Sequence, residues 1–254
     1  EKACGALAKA RAAGITVVLL TNAPGTSDMV AGVLDEKQVP RGCWDALVTS
    51  GDITRQGLAD AGLKRVFHIG TREEKGVFAG LGITLADEAD AEIVVATELN
   101  DYWHETPESY RPLLERLAAR GLPFLCGNPD YVVHVGDSLL PCAGALALIY
   151  QEFGGHVHWA GKPHAPAFAA ALHAARGLRG QTGVGRADRV LMIGDTLRTD
   201  LAGARDNGLD GLFVMGGVHR DETMPGGRVD LARVNELCRE AGVAPVAATP
   251  ALLW

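Results

Sequence analysis

Residues 190–208 read VLMIGDTLRTDLAGARDNG. The aliphatic run from Val190 to Ile193 predicts a buried β-strand, Gly194 ends it, and Asp195, Thr196, Thr199 and Asp200 follow before a helix. Strand, acidic loop and helix in that order are the repeating half of a βαβ unit. The two carboxylates admit two readings. They serve the helix, one as N-cap and one as first-turn acid. Or they serve a divalent cation, for which hard oxygen ligands are the natural set.

The same alternation extends outward in both directions. ITVVLLTNAP (15–24) is a β-branched run that breaks at Thr21-Asn22 and Pro24, and a helix is expected over Ser27–Glu36. DALVTSG (45–51), KRVFHIG (64–70) and AEIVVATELN (91–100) read as further strands. HETPESYRPLLERLAARG (104–121) reads as a helix with Thr106 as N-cap, Pro107 in the first turn and Gly121 as its stop. A helix is expected from about Cys142 to Phe153, closed by Gly154-Gly155. HVHWAGKPHAPAFAAALHAARG (156–177) gives a strand, a Gly-Lys-Pro turn and a helix, and DGLFVMGGV (210–218) another strand. Short apolar strands alternating with helices throughout imply an α/β fold with a largely parallel sheet. The proline-broken apolar tail AGVAPVAATPALLW (241–254) is expected to pack on the core.

Bulk properties exclude several functions. The chain has 254 residues, 47% hydrophobic and 22% charged, enough for one large domain or two small ones. A net charge of −7 with no basic stripe argues against nucleic acid as a partner. Five scattered cysteines form no C-x-x-C pair, so a reducing, cytoplasmic setting is expected rather than a disulfide framework or a zinc knuckle. No apolar stretch approaches the ~20 residues that span a bilayer, and no signal peptide is recognisable. The chain opens with EKACGALAKARAAG, without Met and already helical, with Cys4, Leu7, Ala8 and Ala12 at helical spacing and Gly14 as cap. Residue 1 is therefore expected to lie inside a longer natural chain.

Three strand ends carry chemistry: Thr21-Asn22, Gly161-Lys162-Pro163, and Asp195 to Asp200. In an open parallel sheet ligands sit beyond the carboxyl ends of the strands. Together these ends offer a hydroxyl, an amide, an ammonium and paired carboxylates, a set suited to Mg2+ and a phosphate. An ammonium about 4 Å from a phosphate oxygen is worth up to ~4 kcal/mol at an effective dielectric near 20, before desolvation. Taken singly each end has a plainer account. Thr-Asn after a strand is a turn or cap signal, and a lysine before proline is a solvated loop residue.

In this order, VVLLTNAP, WAGKPHAPAF and VLMIGDTLRTDLAGARDNG resemble motifs II, III and IV of the haloacid dehalogenase-like hydrolases. LCGNPDYVV and CAGALALIYQEFGG resemble the subfamily that carries a large α/β cap between motifs II and III. Its members include p-nitrophenyl phosphatase-like, pyridoxal phosphate phosphatase and phosphoglycolate phosphatase enzymes. The resemblance implies a Rossmann-like core in residues 1–59 and 158–254, with an α/β cap in residues 60–157. It implies that Thr21 and Asn22 bind the phosphoryl group and that Lys162 neutralises nucleophile and phosphate. Asp195 would be a direct Mg2+ ligand and Asp200 would support the metal directly or through water. Asn128 and Asp130 fall in a loop near the core–cap boundary and take a supporting role, or form a plain Asx-turn before a strand. The implied substrate is a small phosphorylated metabolite. Related enzymes pair through their caps, which leaves a homo-oligomer open.

One departure qualifies that likeness. The family's nucleophile and its acid/base are the two aspartates of a D-x-D-G motif after the first strand, and residues 1–254 contain none. LADEADAEIVV places its acids before a strand. The first core strand is thus expected to be missing from the chain, leaving a slot in the sheet, and the chain itself is expected not to hydrolyse phosphate esters. The alternative is a non-catalytic α/β module that binds a phosphorylated metabolite or a protein. A nucleotide-binding Rossmann domain is disfavoured because no G-x-G-x-x-G follows the first strand. His156, His158 and His164 read as ordinary histidines, Trp103 as an aromatic half-buried under a loop, and Cys126 and Cys142 as core residues.

Overall fold

The computed structural model describes residues 2–71, 73–136, 138–180 and 190–254. The chain begins with α1 (Lys2–Ala12), β1 (Val18–Thr21), α2 (Ser27–Glu36), β2 (Ala46–Thr49) and α3 (Ser50–Ala61). The middle comprises β3 (Arg65–Ile69), β4 (Thr84–Leu85), β5 (Ile93–Ala96), α4 (Arg111–Ala119), β6 (Phe124–Cys126), β7 (Val132–Val135), β8 (Ser138–Pro141) and α5 (Ala143–Glu152). The last stretch holds β9 (Val157–Trp159), α6 (Ala165–Leu178), β10 (Leu191–Gly194), α7 (Ala202–Asp206), β11 (Asp210–Val214), α8 (Arg220–Thr223), α9 (Leu231–Glu240) and β12 (Ala247–Thr249). These group into two compact units: Glu1–Leu19 with Leu34–Leu47 and Lys162–Trp254, and Leu20–Val33 with Val48–Gly161. β1 and β2 pair in a two-stranded sheet.

The first unit is built on a parallel sheet in the order β10-β11-β12. Phe213 and Met215 of the central strand and its exit pack against Leu197 and Leu201 from the turn after β10 and Val234 and Leu237 from α9. The tail expected to pack on the core supplies β12, with Val214 opposite Thr249, while Val246, Leu253 and Trp254 stay exposed. The expected burial of the 190–193 strand is corrected. β10 is an edge strand of its sheet among the described residues, and Leu191 is 47% exposed because only one side of the strand is paired there. In α1 the buried positions are Ala6 and Ala10, whereas Ala8 and Ala12 face solvent. Arg11 of that helix donates from Nε and Nη2 to Asp45 Oδ1 at 2.8 and 2.6 Å, and Val17 N–H donates to Asp45 Oδ2 at 2.8 Å. These bonds hold the Asp45 carboxyl below its ordinary pKa, the Arg11 contact most strongly.

The second unit carries a five-stranded parallel sheet in the order β4-β3-β5-β6-β9. All four residues of β5, Ile-Val-Val-Ala, are buried, as a central parallel strand covered on both faces requires. One face packs Leu114 and Leu117 of α4 and Leu146 and Tyr150 of α5, and the other packs Leu58 of α3. Each large aliphatic side chain so buried contributes roughly 1.5–3 kcal/mol. The helix expected from Thr106 is split: a 3-10 turn over Pro107–Tyr110 precedes α4 because Pro112 has no N–H to continue the α pattern. Gly121 closes α4 with φ +67°. Within an otherwise parallel unit, β7 and β8 form an antiparallel hairpin, Val132 opposite Pro141, that the sequence pattern did not announce.

Candidate active site

Both carboxylates after β10 are held by their own neighbourhood. Asp200 lies in a widened π-type turn, Leu197–Leu201, in which Leu201 N–H reaches Thr196 O at 3.3 Å. From there its Oδ2 accepts the N–H groups of Asp195 and Thr196 at 3.1 and 3.2 Å. Its Oδ1 accepts from Lys162 Nζ at 2.7 Å. A Cβ at Gly194 would overlap Asp200 Oδ2, so the strand must end in glycine for this carboxylate to fold back. The pair is shielded, with side-chain exposures of 13% for Lys162 and 6% for Asp200.

Asp195 is pinned from the neighbouring strand. Its Oδ2 accepts Val218 N–H at 3.0 Å, and a Cβ at Gly217 would overlap that carboxylate. The loop leaving β11 therefore approaches Asp195 through bare backbone. Thr196, not an aspartate, is the N-cap residue of the turn, and it makes no side-chain capping bond. Among the described residues no group of three or more His, Cys, Asp and Glu side chains is placed to hold a metal ion. A carboxylate pair fits Mg2+, which takes one or two carboxylates and completes its octahedron with water and phosphate oxygen; it does not fit Zn2+, which asks for three or four protein ligands. His164, at the start of α6, is driven below its ordinary pKa by burial and then by the Arg198 charge.

The second unit holds the other residues singled out in the sequence. Thr21 Oγ1 accepts Ala23 N–H at 3.2 Å, a local turn that closes β1. Asn22 is buried and donates from Nδ2 to Asp130 Oδ1 at 3.1 Å. Asp130 N–H donates to Asn128 Oδ1 at 3.1 Å, the expected Asx-turn. That loop does more than turn, because Asn128, also buried, donates from Nδ2 to Glu98 Oε1 at 2.7 Å. A Cβ at Gly161 would overlap Ser50 Oγ and press on Asn22 Oδ1. Ser50 Oγ is buried with no hydrogen-bond partner.

Lys162, Asp195 and Asp200 thus form one cluster in the first unit, and Asn22, Asp130 and Asn128 form another in the second, with Thr21 beside Asn22. Sequence reasoning missed Glu98, Ser50 and Gly217. Ser50 had a signal in the hydroxyl-rich end of DALVTSG, and Gly217 in the paired glycines after β11; Glu98 had none. His156 and His158 stack with ring centroids 6.5 Å apart. Trp103, expected to be half-buried, is 52% exposed, with its ring 5.9 Å from that of Tyr102. Cys126 and Cys142 are core residues, as expected.

The acids follow β10 of one parallel sheet and the lysine follows β9 of the other, the kind of position at which open α/β sheets bind ligands. Comparison with known proteins narrows the class. A family model described as HAD-hydrolase-like matches residues 159–236, and one for haloacid dehalogenase-like hydrolases matches residues 1–84. A solved haloacid dehalogenase-like hydrolase from Brucella suis 1330 is 43% identical, with a TM-score of 0.84 over 99% of this chain and 88% of that one. The chain belongs to the haloacid dehalogenase-like hydrolases. The p-nitrophenyl phosphatase from Archaeoglobus fulgidus shares the fold, with a TM-score of 0.71 at 18% identity over 98% of this chain and 88% of that one. A dihydroxyacetone phosphatase from Corynebacterium glutamicum (strain R) is 28% identical over 135 residues, which are 53% of this chain and 45% of that protein. The chain thus matches less than half the length of that relative. No helix among the described residues is long and apolar enough to cross a membrane.

Proposed function

We propose that the protein carrying this chain is a Mg2+-dependent phosphatase that hydrolyses a small phosphomonoester through an aspartyl-phosphate. The observation that carries the reading is the cluster after β10, where the shielded Asp200 carboxylate binds both the Lys162 ammonium and the backbone N–H of Asp195, whose own carboxylate stays partly exposed. Membership of a hydrolase family, and relatives named as phosphatases, support the phosphomonoester class. In this reading residues 60–157 are the cap, which excludes water and selects the leaving group, and residues 1–59 and 158–254 are the core.

Asp195 would hold the metal and Asp200 would support it, and bound Mg2+ would polarise a phosphoryl oxygen and offset its charge. The chain's own residues do the rest. Asp200 keeps the Asp195 and Thr196 amides and the Lys162 ammonium in fixed positions. Lys162 offsets phosphate charge, and Thr21 and Asn22 donate to phosphoryl oxygens as charge moves onto them in the transition state. The attacking carboxylate, and the acid that protonates the leaving alcohol and then activates water, belong to a D-x-D motif absent from residues 1–254. The chain alone is therefore proposed to bind phosphate without turning it over. The lack of that motif also favours a second reading, a module that only binds a phosphorylated metabolite or a protein partner.

The test extends the chain with whatever its reading frame encodes upstream and assays a panel of phosphorylated metabolites with and without Mg2+. Turnover that needs Mg2+ and is lost in Asp195→Asn is expected. An extended protein that carries D-x-D and stays inactive on the whole panel would overturn the reading.

A further inference from the structure

We propose that Asp130 is a positioning residue that fixes the orientation of the Asn22 side-chain amide, with Asn128 and Glu98 holding Asp130 in turn. The two faces of an asparagine amide are nearly isosteric, one a donor and one an acceptor, and only their partners decide which way the group points. A carboxylate oxygen accepts and cannot donate, so Asp130 Oδ1 at 3.1 Å fixes Nδ2 of Asn22 on its side. With Nδ2 so placed, Oδ1 of Asn22 lies against the Gly161 backbone, the place where a Cβ would intrude. Ser50 Oγ borders the same spot, buried and with no partner in the structure, and as a hydroxyl it can turn its hydrogen toward that oxygen.

Asp130 is itself not left to chance. Its backbone N–H is bound by Asn128 Oδ1 at 3.1 Å, and Asn128 is anchored by Glu98 Oε1 at 2.7 Å. Glu98 follows β5, the fully buried central strand of its sheet, so the series Glu98–Asn128–Asp130–Asn22 runs from the end of that strand to a residue at the end of β1. Asn22 and Asn128, the two amides of the series, are both buried, where a wrongly turned amide would face a carboxylate with its own oxygen. The consequence for activity rests on the reading of Asn22 as a phosphoryl ligand; the orientation itself does not. A donor aimed in advance costs no reorganisation when a phosphoryl group arrives.

The test uses the 254-residue chain with inorganic phosphate as probe, followed by NMR of the Asn22 side-chain NH2 signals. Asp130→Ala should move those signals strongly, and Asp130→Asn, which keeps a carbonyl acceptor, should restore part of the shift. Glu98→Gln should move them less in the same direction, and it serves if Asp130→Ala fails to fold. Phosphate affinity should fall about tenfold in Asn22→Ala and several-fold in Asp130→Ala, with no further loss when the second change is added to the first, as coupled neighbours behave. Asn22 signals that stay in place in Asp130→Ala, or an Asp130→Ala loss that is as large without Asn22 as with it, would overturn the inference. Unchanged phosphate affinity in Asn22→Ala would instead remove the phosphoryl role of Asn22 and leave its orientation to be judged by the NH2 signals.

Discussion

Removing one partner of the Lys162–Asp200 pair should destabilise the chain far more than removing one partner of a surface pair. Asp200 accepts three donors: Lys162 Nζ at 2.7 Å and the N–H groups of Asp195 and Thr196 at 3.1 and 3.2 Å. Asp200→Ala takes this acceptor from all three donors in a shielded place, and a broken buried pair costs about 3–5 kcal/mol. Lys162→Met leaves the carboxylate its two backbone donors and should cost about 3 kcal/mol, the low end of the same range. The Arg41–Asp35 pair, with side chains 52% and 50% exposed, is solvated and screened and should contribute little. In Lys162→Met with Asp200→Ala both charges leave together, so the cost that remains is that of the two amides losing their acceptor. The double variant should lose less than the sum of the singles by about 2–3 kcal/mol, a coupling in the range measured for interacting neighbours. Urea unfolding of the four proteins, with the Arg41–Asp35 cycle as reference, reads this directly. Singles that add to the double within about 0.5 kcal/mol would refute the reasoning. A double variant that regains stability but binds no phosphate would mean that the charges serve function at stability's expense.

Further outcomes follow from single positions. Gly217→Ala drives a Cβ into the Asp195 carboxylate and breaks its bond from Val218 N–H, so Mg2+ affinity measured by calorimetry should fall about tenfold, the size of other outer-shell effects on metal sites. Gly5→Ala, in α1 with open space around it, should instead raise thermal stability by about 0.5–1 kcal/mol. His68 is held to a pKa of about 4 by burial and then by the Lys75 charge. Between pH 6.5 and 4 the unfolded chain takes up a proton that the folded one refuses, so stability complete above pH 6.5 falls as pH drops through that window, by up to roughly 3 kcal/mol. His68→Gln should remove that slope in urea unfolding at about pH 7, 5.5 and 4.5, and an unchanged slope would refute the assignment. Carboxylates held low, such as Asp45 and Glu92, lose their contribution only at still lower pH, which separates the two effects.

What the sequence revealed and what it hid divide along one physical line. β3 and β5 were legible as mainly apolar runs, β5 most plainly, because a strand covered on both faces must be apolar at consecutive positions and IVVA states that demand locally. β12 and the β7–β8 hairpin were not, because Ala-Ala-Thr becomes a strand only beside Leu212, Phe213 and Val214, which lie far off in the chain. An apolar run likewise states a need for cover without supplying it, which is why VLMI forms a strand yet remains half-exposed at an edge. Lys162, Asp195 and Asp200 could be singled out because each follows a strand within a few residues, whereas Glu98 gains its place only through Asn128, and Gly217 only through Asp195. Of the two readings left open for the acidic pair, capping by an aspartate is not what the structure shows, since Thr196 holds the N-cap position. Asp200 spends its oxygens on backbone amides and on Lys162, which is structural work. Asp195 keeps a partly exposed carboxylate that its neighbours steer with one amide and one bare glycine, Gly217, and it is the better placed of the two to meet a cation. On that division of labour, Asp195→Asn should abolish Mg2+ binding with little loss of stability. Asp200→Asn should lower both, since the carboxamide that replaces the carboxylate would turn its NH2 group toward either Lys162 or the two amides.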